Sequence, residues 1–109
     1  MTKQQIFNKV VKHLRKQGKR AFNGITCWYR APDGSKCAVG CLLKDDEYRA
    51  DFEGKTVGAI ALPERLSQHL SFLDDIQWLH DQQYSWKQRG GIKESAISAF
   101  ARKHKLTVP

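Results

Sequence analysis

Residues 27–43 read Cys27-Trp28-Tyr29-Arg30-Ala31-Pro32-Asp33-Gly34-Ser35-Lys36-Cys37-Ala38-Val39-Gly40-Cys41-Leu42-Leu43, and the fold turns on how they are read. With Ile25 and Thr26 upstream, residues 25–30 are β-branched and aromatic, a composition that suits a pleated, half-buried strand. Pro32 presets φ and Gly34 accepts positive φ, so residues 31–34 carry turn chemistry. Residues 35–37 then read as a short return strand or the start of a helix. Residues 38–43 are too apolar for solvent and read as a short buried helix. The expectation is an antiparallel hairpin over residues 25–37.

Upstream of it, Thr2 with Gln5 three residues on forms a capping box. Ile6, Phe7, Val10, Val11 and Leu14 follow at helical spacing until Gly18 offers a stop. Downstream, residues 45–56 form an acidic connection anchored by Tyr48 and Phe52. Thr56 caps a short helix over 57–62, which Pro63 closes. A longer helix, entered afresh at Ser71, buries Leu66, Leu70, Leu73, Ile76 and Leu79, has Trp78 beside them, and stops at His80-Asp81. Ser85 with Gln88 is a further capping candidate, and Gly90-Gly91 interrupts any helix there. A last helix over 92–104 turns Ile92, Ala96, Ala99 and Phe100 inward. The predicted class is α+β: a small antiparallel β-hairpin packed with about four to five helices, in a single domain over residues 1–109.

The formal charge of +8 is segregated along the chain. Residues 1–32 hold eight bases and no acid, residues 33–81 five bases and ten acids, and residues 82–109 six bases against Glu94 alone. On the first helix Lys9, Lys12, Lys16 and Lys19 share the face opposite the apolar stripe, with Arg15 and Arg20 at its edges. Arg102, Lys103 and Lys105 cluster at the end of the last helix, where they suit its dipole. Such a face can track phosphates, rest on an anionic membrane or meet an acidic protein, and a bland solvated face has the same composition. No apolar run approaches the ~20 residues that a membrane span needs, and no signal segment is apparent. With three cysteines, which cannot all pair with one another, the chain reads as cytoplasmic.

Three constellations bear on chemistry. Cys27, Cys37 and Cys41, with His80 or His13, supply the inventory of a Cys₃His zinc site, but the C-x9-C-x3-C spacing lacks paired knuckles and small core cysteines have the same pattern. Cys37 at a helix start, with His80 as base and Asp81 as orienter, is the inventory of a thiol hydrolase. His80 at a helix end reads equally as a packing residue. Trp28, Tyr29, Tyr84 and Trp86 lie near basic residues and suit base stacking wherever they are exposed, whereas core packing is their ordinary use. Gly40, Gly54 and Gly90-Gly91 lie where a backbone can approach phosphate, but form no P-loop. No cofactor is implied.

The string Lys36-Cys37-Ala38-Val39-Gly40-Cys41-Leu42, preceded by Tyr29-Arg30 and Asp33-Gly34, is followed by Glu53-Gly54-Lys55 and Leu79-His80-Asp81. In these residues the chain resembles a group of short uncharacterised phage and prophage proteins over roughly residues 4–104. The resemblance implies a setting, a small accessory protein inside a bacterial cell. In that setting the expected function is non-enzymatic binding of an anionic partner, nucleic acid, through the Lys9, Lys12, Arg15, Lys16, Lys19, Arg20 face and the Arg102, Lys103, Lys105 cluster. The alternatives are an inhibitor of a host defence or nucleic-acid-handling protein, of the anti-CRISPR type, and a small thiol hydrolase using Cys37 and His80.

Overall fold

The computed structural model describes all residues, Met1–Pro109, and contains no β-strand. Its α-helices are α1 (Lys3–Gln17), α2 (Glu64–Ser67), α3 (Leu70–Asp81) and α4 (Glu94–His104). Between them the chain makes single 3₁₀ turns at Gly40–Leu42, Asp45–Glu47, Ala50–Phe52, Val57–Ala59 and Gln83–Ser85. The α+β expectation is therefore corrected to an all-helical fold with long irregular connections. Where a hairpin was expected, only isolated bridges occur, Phe22 with Cys27 and Arg30 with Lys36.

The reason lies in where the backbone groups of that stretch find partners, because a ladder forms only if they are left for each other. Glu53 takes two of them: its carboxylate accepts the N–H of Tyr29 at 2.8 Å and of Arg30 at 3.1 Å, and also the Tyr48 hydroxyl at 2.6 Å. On the return arm, α1 side chains intervene. Gln17 accepts the Lys36 N–H at 2.7 Å and donates to the Lys36 carbonyl at 2.9 Å, and His13 also donates to that carbonyl, at 3.0 Å. Two bonds still cross between the arms, Ala31 N–H to the Ser35 carbonyl at 2.8 Å and Cys37 N–H to the Tyr29 carbonyl at 3.2 Å, but a carboxylate and two helix side chains take the neighbouring groups, so the pairing stops at one bridge. Ile25, placed in the expected strand, is 89 % exposed.

α1 forms as its sequence dictates. Thr2 Oγ1 accepts from the Gln5 N–H, Gln5 Oε1 accepts from the Thr2 N–H, and Gly18 closes the helix at φ +73° with its N–H on the Leu14 carbonyl. Its stripe of Ile6, Phe7, Val10, Val11 and Leu14 is fully buried. α4 packs antiparallel to α1, with Phe100 stacked on Phe7 at 5.6 Å, Glu94 paired with Arg15 at one end and Thr107 bonded to Gln4 at the other. Phe72 of α3 meets Phe100 at 5.7 Å, so the three longer helices share one core.

The other expected helices change in kind. Residues 38–43 form the Gly40–Leu42 turn, and 57–62 shrink to Val57–Ala59. Pro63 caps α2, α3 begins at Leu70, and α4 begins at Glu94, two residues later than expected. Leu70 and Ala99 face solvent, whereas Ile97, not foreseen as inward, is fully buried. The Gly40 backbone presses against Tyr29 so closely that a Cβ there would overlap the Tyr29 carbonyl oxygen. Only glycine fits at this crossing.

Candidate functional site

α1 turns its polar face outward, and Lys9, Lys12 and Lys16 stand exposed on it, spanning about 10 Å of helix axis. None makes an ion pair. Lys36 lies beside them: His13 and Gln17 hold its backbone against α1, and Lys16, Lys19 and Lys36 line one shallow basin with Asp33. Burial holds the His13 imidazole below its usual value, so it adds a hydrogen-bond donor and no charge at neutral pH.

The acids beside this face are already engaged. Asp45 pairs with Arg30. Asp33 pairs with Lys19, and that ammonium together with Ser35 holds its carboxyl well below the usual carboxylate range. Glu94 takes a two-pronged contact from Arg15 at 2.6 and 3.1 Å, which lowers its pKa likewise. Of the residues expected to bind an anion, Arg15 and Lys19 are thus neutralised locally. Lys9, Lys12 and Lys16 have no acid paired with them.

Arg102, Lys103 and Lys105 do not join this face. Because α4 runs antiparallel to α1, they sit at the far end, near the start of α1, and Lys103 is paired with Asp75 at 3.2 Å. A different basic segment takes their place. The turn from Lys87 to Gly91 closes on itself through Lys87 N–H to the Gly91 carbonyl, at 2.9 Å, and docks on the end of α1 through Gly91 N–H to the Gly18 carbonyl, at 2.7 Å. Gly90 and Gly91 both hold positive φ, near +93° and +91°, which their lack of a side chain permits. This brings the turn that carries Lys87, Arg89 and Lys93 to the end of α1, where Lys87 and Lys93 line one recess with Arg20. Sequence reasoning missed Lys87, Arg89 and Lys93 as site residues: the charge count showed their bases, but only the tertiary contact at Gly18 shows their neighbours.

Arg20 bridges two surroundings. Its guanidinium lies 4.2 Å from the centre of the Phe22 ring and donates to the Asp81 carbonyl at 3.0 Å. On one side is a recess of about 570 Å³ lined by Gln83, Tyr84, Trp86, Lys87, Gln88 and Lys93, with no acid among them. On the other is a cleft of about 660 Å³ in which Asp74, Asp75 and Asp81 face Lys55 and Lys103, a mixture of signs that does not select an anion.

The thiols and His80 are placed for structure. His80 is fully buried; its Nε2 accepts the Ala21 N–H at 3.0 Å, so the ring proton is on Nδ1, which donates to Asp81 at 2.7 Å. Both ring nitrogens therefore have partners. The Cys27, His80 and Asp81 ligand atoms lie within 4.8 Å of one another, but a metal at Nδ1 would displace the Asp81 bond while the Ala21 N–H holds the other lone pair. Cys37 and Cys41 are not brought to that group, so the Cys₃His set is not assembled. Cys37 is fully buried, with burial pushing its thiol far up, and it precedes a 3₁₀ turn, with no α-helix start to activate it. Burial also pushes Cys41 up to about 12, against the pull of Lys9 and Lys36, and burial with the Asp81 carboxylate does the same for Cys27. None of the three is set up as a thiolate nucleophile.

Among the aromatic residues, Tyr29 and Trp86 are core, and Trp28 is half-buried with its indole N–H unpartnered. Tyr84 is 66 % exposed. No helix is long and apolar enough to cross a membrane. The chain matches no family model, no curated protein and no solved structure.

Proposed function

We propose that this chain is a non-enzymatic nucleic-acid-binding protein that grips the phosphate backbone with Lys9, Lys12, Lys16 and Lys36 and with the turn carrying Lys87, Arg89 and Lys93. One observation carries the reading: cations from three separate stretches converge around the C-terminal half of α1, and the acids beside them, Asp33 and Glu94, are already held by Lys19 and Arg15. Uncompensated charge on a rigid helix costs stability through self-repulsion, and a polyanion relieves it. In the phage-type setting that the motif string implies, the protein acts in the cytoplasm of a bacterial host as an accessory factor.

The test is an anisotropy titration of a labelled oligonucleotide at several salt concentrations. Phosphate binding through four to six of these cations gives a log–log slope of affinity against salt of about −3 to −5, and each Lys→Ala change at positions 9, 12 or 16 flattens it by about 1. No binding at low salt, or binding indifferent to salt, would remove the proposal. A salt-insensitive contact with a host nucleic-acid-handling protein would then be the reading to pursue.

A further inference from the structure

We infer that the basic interface takes single-stranded nucleic acid in preference to duplex, by stacking an unpaired base on the exposed ring of Tyr84; this rests on the nucleic-acid reading above. Four rings stood beside basic residues in the sequence, and the fold leaves one of them both open and in cationic surroundings. Tyr84 is 66 % exposed and lines the acid-free recess with Arg20, Lys87 and Lys93 on one side, where Gln83 and Gln88 supply amide donors and acceptors at its rim; on its other side it borders an apolar groove with Trp78, Ala99 and Phe100, where the one acid, Asp75, is paired with Lys103. Trp78, also exposed at 60 %, lines the cleft of mixed sign beside Asp74 and Asp75, which does not select an anion.

The platform is held from behind. Tyr84 sits in the Gln83–Ser85 turn, whose Ser85 carbonyl accepts the Lys93 N–H at 2.7 Å. Next to it, Trp86 bridges Ile92 and donates its indole N–H to the His80 carbonyl at 2.8 Å. The ring is thus carried by a braced backbone, and Lys93 is fixed across from it. A base can stack on an aromatic face only when it is out of a duplex, whereas the lysines of α1 hold the phosphates of either form. The two contacts are separable: stacking sets strand preference, and the lysines set salt dependence.

The experiment compares an oligothymidylate with a duplex of equal length, using wild type, Tyr84→Ala and Tyr84→Phe, with circular dichroism to confirm the fold of each. Wild type should favour the single strand by about tenfold. Tyr84→Ala should lose that preference with the salt slope unchanged, and Tyr84→Phe should keep it. Equal binding of both forms by wild type, or a preference that survives Tyr84→Ala, overturns the inference while leaving the nucleic-acid reading intact. Absence of binding to both forms at low salt overturns that reading and this inference with it.

Discussion

At the scale of single residues, Gly40 and Glu53 determine how residues 27–43 fold. Gly40 allows the 3₁₀ turn to lie directly on the Tyr29 carbonyl, a contact that any Cβ would force apart. Gly40→Ala is therefore expected to destabilise by at least about 3 kcal/mol, the upper range for overpacking against unyielding backbone. Urea denaturation against wild type measures it, and a loss under about 1 kcal/mol would mean that the crossing relaxes. Glu53 gathers two backbone N–H groups and the Tyr48 hydroxyl onto one carboxylate. In the sequence Glu53 is one acid among many in a polar connection, and nothing in its spacing announces a bond to Tyr29, 24 positions away. The cysteines show the converse. Their spacing invites a metal or nucleophile reading, yet Cys37 accepts the Gly40 N–H through its sulfur and Cys41 donates to the Ala38 carbonyl, local contacts that tighten a turn.

At the scale of elements, what could be read in the sequence was what depends on neighbours in the chain. α1, with its capping box, apolar stripe and glycine stop, was legible because each of those signals acts within four residues. The pairing of 25–30 with 35–37 was not, because the competitors for their hydrogen bonds, Glu53, His13 and Gln17, come from elsewhere in the chain. The same holds for the site: the Lys9, Lys12, Lys16 face followed from helical periodicity, while its continuation onto residues 87–93 depends on a loop docking at Gly18. α2 is likewise held from a distance. Arg65 makes a two-pronged contact with Glu47, at 2.6 and 2.7 Å, and a third bond to the Leu42 carbonyl. Arg65 lowers the Glu47 carboxyl from its ordinary 4.5 to about 2. Because the folded value is the lower one, this stabilisation is complete above about pH 4.5 and is lost as pH falls through about 2. Urea titrations over that range should show the stability gap between wild type and Glu47→Gln shrinking as pH falls. A gap independent of pH would show that the contact does not act through charge.

At the scale of the whole molecule, the antiparallel packing of α1 and α4 sets two basic regions at opposite ends. Lys87, Arg89 and Lys93 stand beside the end of α1; Arg102 and Lys105 stand near its beginning. If the first end is the phosphate-binding one, reversing Lys87 and Lys93 to Glu should weaken oligonucleotide binding at low salt by tenfold or more. The same reversal of Arg102 and Lys105 should weaken it only a few-fold, through net charge alone. Equal losses would replace a defined footprint with a diffuse one. The stacking of Phe7 on Phe100 carries a consequence in time as well as in space. A helical protein whose contacts are mostly local can fold as fast as its turns form, but here Phe7 of the first helix is covered by Phe100 of the last. During synthesis α1 leaves the ribosome long before α4 exists, and until then that part of its stripe is exposed to water or to a chaperone. Folding that waits on a closure of this length is expected to run slower than the helical class suggests, at a rate set by topology rather than by helix formation.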